Sequence, residues 1–227
     1  MNLSLLLLAG LVLLPAVLLL RRGRLRARER FIQSYAFPQR LSRKLVERYP
    51  HLSEQQAAQA VLGLRQYFQL CRQAKRQLVA MPSQAVDLLW HEFILHTRQY
   101  QQFCQQGIGH FLHHVPSEAM RSPTVAQQGI RRAWRLACAR ERIAPRAPQR
   151  LPLLFALDAE LAIADGFRYS LNCREGRGGD YCAGHIGCSS GCASGCGAEG
   201  GATGDSSDGG GDGGGGGGDG GGCGGGD

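Results

Sequence analysis

The sequence predicts an all-α protein. A small helical bundle of four to five helices follows a single N-terminal transmembrane helix and precedes a disordered Gly-rich C-terminal tail. Three observations support this class: leucine crowds the first twenty positions, helical rather than strand periodicity recurs between positions 30 and 170, and 26 of the 33 glycines lie in 176–227. The predicted segments are a transmembrane anchor at 1–20, an Arg-rich juxtamembrane segment at 21–30, a helical domain at 31–170 and a Cys/Gly-rich disordered tail at 171–227.

The N-terminal segment predicts a retained membrane anchor. Residues 3–20 are apolar apart from Ser4, Gly10 and Pro15, and about 18 helical residues span roughly 27 Å, close to the ~30 Å of a hydrocarbon core. A secretory signal peptide carries its positive charge before the apolar run, whereas here the arginines follow it. Because positive flanks stay on the cytoplasmic side, we expect a single-pass protein of the inner (cytoplasmic) membrane, with its N-terminus outside and its domain and tail in the cytoplasm.

The distribution of charge favours anionic partners. From Arg174 onward there are two arginines and eight acidic residues, a net charge of −6; since the whole chain carries +8, the preceding part carries +14. Arginine supplies all but two of the 26 basic residues, which is typical of compositional bias. We therefore expect anionic lipid headgroups near Arg21–Arg30 and an unidentified protein as partners, and no nucleic acid.

The first helices of the domain follow from their breaks and caps. The segment 24–49 is helical with a break at Pro38. Ser53 and Gln56 form a capping box, with the serine as N-cap and the glutamine three residues later. Apolar side chains at spacings of three, four and seven then predict one helix that continues to about Val79.

The later helices are set by prolines and glycine. Pro82 and Ser83 open a helix that runs to about Gln105. Ser122-Pro123 supplies an N-cap and a first-turn proline for another. The last helix is short and runs from Pro152 to Ala164, where a following glycine ends it.

Potential metal ligands are densest between positions 86 and 114, where five of the seven histidines lie. His91, Glu92 and His96 resemble the metalloprotease motif but contain one residue too many. Residues five apart lie about 140° apart around a helix, against about 40° for the four-residue spacing of the motif. These two histidines therefore do not bind one ion from a regular helix, and the spacing argues against a zinc protease.

Two ligand sets remain open for zinc or another transition metal. Asp87 and His91 share one flank of the helix, whereas His96 and Cys104 descend from the other flank into the apolar face. Either pair would need a third ligand from the following loop, and in the first set Asp87 would alternatively orient His91. The candidate ligands are Asp87, His91, His96, Cys104, His110, His113 and His114, with Trp90 and Tyr100 as supporting residues.

Packing is the alternative explanation for the same residues. A histidine beside Trp90 is also typical of a hydrogen-bonded joint between helices, and Cys104 is also typical of a small buried apolar residue. A cysteine nucleophile formed by Cys104 and a loop histidine is a further alternative, although no oxyanion-binding loop is evident.

The same segment resembles the glycine-rich domain-containing protein-like family of bacteria and plants, here as a bacterial, membrane-anchored member. The resemblance rests on the pattern Val86-Asp87, Trp90-His91, His96, Tyr100, Phe103-Cys104, Gly109, Phe111, His113-His114 and Pro116. It implies that these positions form a shared site and implies no particular activity. The predicted anchor departs from the plant members, which we expect to be soluble.

The tail contains a second candidate metal cluster. A cytoplasmic location keeps the nine cysteines reduced, so metal ligation rather than disulfide formation is the alternative to burial. Thiolates and an imidazole are preferred zinc ligands, although the spacing matches no paired Cys-x2-Cys ribbon. Solvated thiols in a low-complexity tether are the alternative. The cluster comprises Cys182, His185, Cys188, Cys192 and Cys196.

These features predict a non-enzymatic, membrane-anchored cytoplasmic module that acts in interaction or metal binding through the 87–114 cluster. One alternative is a metal- or thiol-dependent enzyme that uses the same residues. An open coordination position or cleft beside His91 would favour the enzyme. The other alternative is a basic docking surface for anionic lipid or nucleic acid, whose binding would depend on salt.

Overall fold

The chain is helical throughout most of the part that the computed structural model describes. That part comprises residues 3–115, 123–171, 181–182 and 186, with the backbone alone described for 3–12, 123 and 181. Its elements, in order, are α1 (Leu3–Ser34), α2 (Gln39–Arg48), α3 (Glu54–Ala74), α4 (Gln84–Leu95), α5 (Thr97–Phe103), a π-helical turn (Cys104–Ile108), α6 (Pro123–Glu141), α7 (Leu153–Glu160), β1 (Tyr169–Ser170) and β2 (Tyr181–Cys182).

The predicted all-α class is confirmed, with six α-helices after α1 in the described residues, where four or five were predicted behind the N-terminal helix. The break at Pro38 separates α1 from α2. The single helix predicted up to Gln105 is divided instead at His96, whose φ of −81° and ψ of 57° leave the helical region. The amide of His96 bonds the carbonyl of Phe93 at 3.0 Å, which closes α4 in a tighter turn before α5 begins.

α1 contains most of the segment that the sequence predicted as an anchor at 1–20. The helix continues without interruption through Arg21–Arg30 to Ser34, so the leucine-rich and arginine-rich segments belong to one element. Among the described residues, no helix combines the length and the apolar character needed to cross a membrane. The predicted transmembrane helix is therefore not supported. The last turns of α1 pack on the domain, where Ile32 is fully buried.

α3 is the central helix of the domain. Its capping box forms as predicted: Ser53 Oγ accepts from the amide of Gln56 at 3.2 Å, and Gln56 Oε1 accepts from the amide of Ser53 at 2.9 Å. The apolar stripe that follows packs against α1, α2, α4, α6 and α7. The helix ends at Ala74, earlier than predicted, because Lys75 adopts a φ of +60° and turns the chain away.

An aromatic cluster ties α4 and α5 to α3 and to the chain that follows α1. The ring of Phe103 is fully buried and lies 4.7 Å from the rings of both Tyr35 and Phe68. It also meets the ring of Phe93 edge-on at 5.3 Å. Such tilted aromatic pairs add stability beyond the area that they bury. The cluster therefore fixes the relative position of α4 and α5.

The N-terminus of α4 is capped by a buried carboxylate from α7. Ser83, the N-cap residue, donates to Asp158 Oδ1 at 2.6 Å, and the same carboxylate accepts from the amides of Gln84 at 2.7 Å and Ala85 at 3.2 Å. Asp158 is 1% exposed. A negative charge is stabilised at a helix N-terminus, where amides lack partners. Asp158 thus fixes where α4 begins.

β1 and β2 form a short parallel pair after the last helix. Tyr169 lies opposite Tyr181, and Ser170 lies opposite Cys182. Beyond Leu171, the described residues are 181–182 and 186 alone. Part of the tail predicted at 171–227 is therefore ordered, since β2 pairs with β1 and Ile186 is buried. The disorder predicted for the rest of the tail falls outside the described part of the chain and stays a prediction.

Candidate metal centre

Asp87 and His91 lie one turn apart on α4 and extend from the same side of the helix. Asp87 Oδ2 lies 3.7 Å from His91 Nε2. The side chain of Asp87 is 20% exposed and that of His91 is 49% exposed, so the pair lies at the surface edge of the domain. This is the flank on which the i, i+4 spacing predicted them.

His114 reaches the same place from the loop after the π-helical turn. Gly109 ends that turn with a φ of +96°, which glycine adopts without a Cβ clash. Arg28 of α1 donates to the carbonyl of Ile108 at 3.4 Å and so ties the turn to α1. The ring of His114 packs edge-on against Trp90, with centroids 4.6 Å apart. Its side chain is 15% exposed, the least of the three.

A buried hydrogen-bond chain holds the loop in place. Trp90 Nε1 donates to Tyr100 Oη at 3.0 Å, and Tyr100 Oη donates to the carbonyl of Leu112 at 2.5 Å. Burial, with a smaller contribution from Cys104, raises the pKa of Tyr100, so its hydroxyl keeps the proton that it donates. Because Leu112 lies two residues before His114, this chain fixes the approach of the histidine to α4.

Three potential ligand atoms converge at this point. His114 Nε2 lies 2.9 Å from His91 Nε2 and 3.1 Å from Asp87 Oδ1, and one ligand atom from each residue falls within 4.8 Å of the others. Two ligands of a tetrahedral zinc ion are roughly 3.3 Å apart, given their usual bond lengths. The two contacts of His114 Nε2, at 2.9 and 3.1 Å, are slightly shorter than that value, and the 3.7 Å between His91 Nε2 and the other carboxylate oxygen of Asp87 is slightly longer. Small side-chain shifts would let all three atoms bind one ion.

One proton cannot serve both close contacts of His114 Nε2 within this cluster. An imidazole nitrogen carries either one hydrogen or one lone pair. His114 Nε2 nevertheless has two close neighbours, His91 Nε2 and Asp87 Oδ1. If His114 Nε2 bears a proton, that proton can form a full hydrogen bond with only one of the two neighbours. If it bears a lone pair, that lone pair is repelled by the carboxylate of Asp87. A cation at the centre would accept lone pairs from all three atoms, with the ring protons on Nδ1.

The cluster borders an open cavity of about 720 Å³, within the size range of small-molecule sites. One wall is the loop 75–83, where Tyr67 donates to the carbonyl of Val79 at 2.9 Å and Arg132 donates to the carbonyl of Leu78. The loop 109–115 forms another wall. The arrangement therefore places a potential ion beside space that a molecule can enter.

The chain matches the model of the UCP032817-like family over residues 27–186, which is more than half of its length. The chain belongs to the UCP032817-like family. The match contains Asp87, His91 and His114 and every helix from α2 to α7. No curated protein and no solved structure is similar enough to this chain to match it.

Membership of the UCP032817-like family corrects the resemblance to the glycine-rich domain-containing protein-like family. Much of that resemblance rested on Trp90, Tyr100 and Cys104, all of which are buried. A pattern of buried residues reflects helix packing, which unrelated helical domains also use. The UCP032817-like family is uncharacterised, so membership assigns no activity to the chain.

The other predicted ligands in the UCP032817-like domain do not join the cluster. Neither His96, at the break between α4 and α5, nor the fully buried Cys104 belongs to a group of three potential ligands in the described residues. His110 lines the cavity, and burial together with the charges of Arg76 and Arg28 lowers its pKa. His113 also lines the cavity, with its ring 4.8 Å from that of the exposed Phe111.

The buried thiols of the domain lack the properties of nucleophiles. Burial raises the pKa of Cys104, that of Cys71 to about 12 and that of Cys138 to about 11. A reactive cysteine needs a lowered pKa and access to solvent, whereas all three are buried. A thiol-dependent mechanism at Cys104 is therefore not supported.

The second predicted metal cluster lies mostly outside the described residues. Cys182 is described and is disulfide-bonded. A sulfur atom in a disulfide is not a thiolate ligand, so Cys182 is not available to a metal ion in this structure, and the expectation that every thiol is reduced does not hold at this position. His185, Cys188, Cys192 and Cys196 fall in the part that is not described.

Three residues that shape the site were not among the predicted site residues. Lys75 and Arg76 line the same cavity as the histidines, and nothing in their spacing predicted this, because they follow α3 rather than belong to its periodic pattern. Asp158, which caps α4, did leave a signal. It is a lone acid within the apolar first turns of the predicted last helix, and a buried acid needs partners.

Proposed function

We propose that this protein is a helical module that binds a divalent transition-metal ion through Asp87, His91 and His114. The convergence of their three ligand atoms within 4.8 Å carries the proposal. Two imidazole nitrogens and one carboxylate oxygen form a ligand set that suits zinc. Three protein ligands would leave a further coordination position directed at the cavity that these residues border.

Residues that contact His114 and its loop also support the proposal. Metal-binding histidines need their rings held in one orientation. The ring of His114 is held between Trp90 and His91, at centroid distances of 4.6 and 4.2 Å. Its loop is held by the bond from Tyr100 to the carbonyl of Leu112. The cluster is therefore pre-organised, which lowers the entropic cost of binding an ion.

Calorimetric titration of zinc into the full-length protein tests this proposal. All samples would carry serine in place of Cys182, Cys188, Cys192 and Cys196, so that the predicted tail cluster does not bind the added metal. We expect one site per chain, and a loss of affinity of at least about 100-fold in His114→Ala, because losing a ligand exceeds the effect of losing a supporting residue.

His113→Ala is the matched control, because His113 is the exposed neighbour of His114 and lies outside the cluster. It should bind zinc as the parent does. Equal affinities in all three proteins, or no zinc binding by the parent, would contradict the proposal.

The open cavity favours a metal-dependent enzyme as the second candidate. A fully packed joint would leave no room beside His91, whereas a cavity of about 720 Å³ borders it. A metal ion with an open position lowers the pKa of bound water and generates a nucleophile near neutral pH. Zinc-dependent hydrolysis of an activated ester that is lost in His114→Ala would support this candidate. Identical rates of hydrolysis in the parent protein and in His114→Ala would argue against the enzyme and leave metal binding as the proposed function.

The predicted membrane location and the predicted partners of the protein stay predictions. Contact with anionic headgroups is supported by the six arginines of residues 21–30 and by the exposed leucines of α1, among them Leu13, Leu14, Leu19 and Leu20. The predicted location at the cytoplasmic membrane, the unidentified protein partner and the tail cluster rest on the sequence analysis alone.

A further inference from the structure

We infer that the cavity beside the metal cluster binds an organic oxyanion, a carboxylate or a phosphate ester, which coordinates the ion and pairs with Lys75 and Arg76. This inference rests on the proposed function, because the oxyanion occupies the coordination position that the protein leaves open. It names the class of ligand that the metal centre takes.

The charges that line the cavity favour an anion. Lys75 and Arg76 are its two permanently charged basic residues, and Asp87 is its one acidic residue among those described. A divalent ion on Asp87 leaves one positive charge, and the two basic side chains add two more. An anionic ligand would neutralise this excess, and a carboxylate or phosphate oxygen is also a suitable metal ligand.

Both basic side chains are exposed and free to pair with a ligand. Within the described residues neither Lys75 nor Arg76 forms a salt bridge or a side-chain hydrogen bond. Nearby arginines are already used: Arg72 and Arg140 pair with Glu29 at 3.3 and 3.5 Å. The charge of Arg76 also reaches the histidine loop, where it helps to lower the pKa of His110.

The wall that carries these cations is fixed at its other end. Tyr67 and Arg132 bond the carbonyls of Val79 and Leu78. A Cβ added to Gly129 of α6 would lie 3.2 Å from the backbone nitrogen of Ala80, so α6 also backs this wall closely. The loop 75–83 is therefore a defined wall of the cavity that the cluster also lines, rather than a loose end of α3.

The size and lining of the cavity indicate an organic ligand rather than a bare inorganic ion. Its volume of about 720 Å³ is many times that of a phosphate ion. Apolar side chains also line it, including Met81, Phe111, Leu112 and Phe167. Phe111 remains 44% exposed, and an apolar ligand body would cover it. A ligand with one anionic end and an apolar body fits both features.

The absorption spectrum of the cobalt-loaded full-length protein, with the same serine substitutions in the tail of every sample, tests this inference, because the visible bands of Co²⁺ respond to an exchanged ligand. Acetate, benzoate, inorganic phosphate and phenyl phosphate would be titrated separately. The two acids distinguish a carboxylate ligand from a phosphate, and the two aromatic compounds test the apolar body. We expect saturable changes with the preferred anion, at lower concentration for its aromatic form.

The double variant Lys75→Gln/Arg76→Gln should bind cobalt as the wild type does but need about tenfold more anion, as expected for two solvent-exposed charge pairs. Arg98→Gln/Arg135→Gln is the control with the same loss of charge, since both residues are exposed and neither lines the cavity. It should match the wild type.

A cobalt spectrum that ignores every anion, or an equal response in the double variant and the wild type, would overturn this inference and leave metal binding intact. A wild-type protein that binds no cobalt would contradict the proposed function, and this inference with it.

Discussion

His113 and His114 are adjacent in the chain but differ in what surrounds their rings. The ring of His114 lies against Trp90 and His91, and its Nε2 contacts Asp87 Oδ1 at 3.1 Å. The ring of His113 lies against the exposed Phe111. Substitution of one and then the other therefore separates a ligand from a bystander with the same chemistry, the same loop and nearly the same position.

The buried thiols give a prediction that depends on pKa. Because the pKa of Cys71 is raised to about 12 and that of Cys138 to about 11, about one thiol in ten thousand and one in a thousand are thiolates at pH 8. We expect iodoacetamide at pH 8 to leave these two cysteines and Cys104 unmodified in the folded protein, as measured by mass spectrometry of peptides.

The same reagent should modify all three cysteines once guanidinium unfolds the chain, which controls for peptide recovery. Modification of Cys71 in the folded protein at the rate of the unfolded chain would show that the core around α3 opens, contrary to its full burial.

Part of the candidate site follows from sequence at the residue scale. The i, i+4 spacing was enough to group Asp87 with His91, because helix geometry is local. The third ligand was not predictable among His110, His113 and His114. Its choice depends on the positive φ of Gly109 and on the bond from Tyr100 to Leu112, and both reflect contacts between distant parts of the chain.

At the scale of elements, α4 depends on a carboxylate that lies 75 residues further along the chain. Asp158 accepts from the hydroxyl of Ser83 and from the amides of Gln84, Ala85 and Phe167. All four groups that contact this carboxylate are hydrogen-bond donors. An asparagine side chain at position 158 would therefore direct its own N–H groups at one or more of them.

We therefore expect Asp158→Asn to lower the free energy of unfolding by about 2–4 kcal/mol, as for a buried group that loses charged hydrogen bonds. Chemical denaturation followed by circular dichroism measures this change. Because α4 carries two of the three ligands, the variant should also bind zinc more weakly.

Glu160→Gln provides the control on the same helix. Glu160 is exposed and accepts one bond from Gln59 at 2.8 Å, so the free energy of unfolding should change by less than about 0.5 kcal/mol. A loss of stability in Asp158→Asn no larger than in this control would contradict the capping role.

Elements with local signals were predictable, and those shaped by tertiary contacts were not. The capping box at Ser53 and Gln56 starts α3 as predicted, because four neighbouring residues contain the whole signal. The break at His96 has no proline or glycine to mark it. The break accompanies the packing of Phe93 and Phe103 into one aromatic cluster, with ring centroids 5.3 Å apart. A straight helix through both residues would not bring the two rings together in this way.

At the scale of the whole molecule, the family match and the core coincide. The match spans residues 27–186, and every buried apolar residue of the core lies between Ile32 and Ile186. The prediction of an anchor treated the leucines and arginines near the N-terminus as two segments. In the structure both lie in α1, which continues to Ser34 and joins this core through Ile32.

Binding of one metal ion at Asp87, His91 and His114 is the proposal on which the cavity ligand also depends. Elemental mass spectrometry of the purified full-length protein measures this binding, in the background that lacks Cys182, Cys188, Cys192 and Cys196. We predict close to one equivalent of zinc or a related transition metal in the parent and in His113→Ala, and close to none in His91→Ala/His114→Ala. A folded parent without metal, or equal metal content in all three proteins, would contradict the claim.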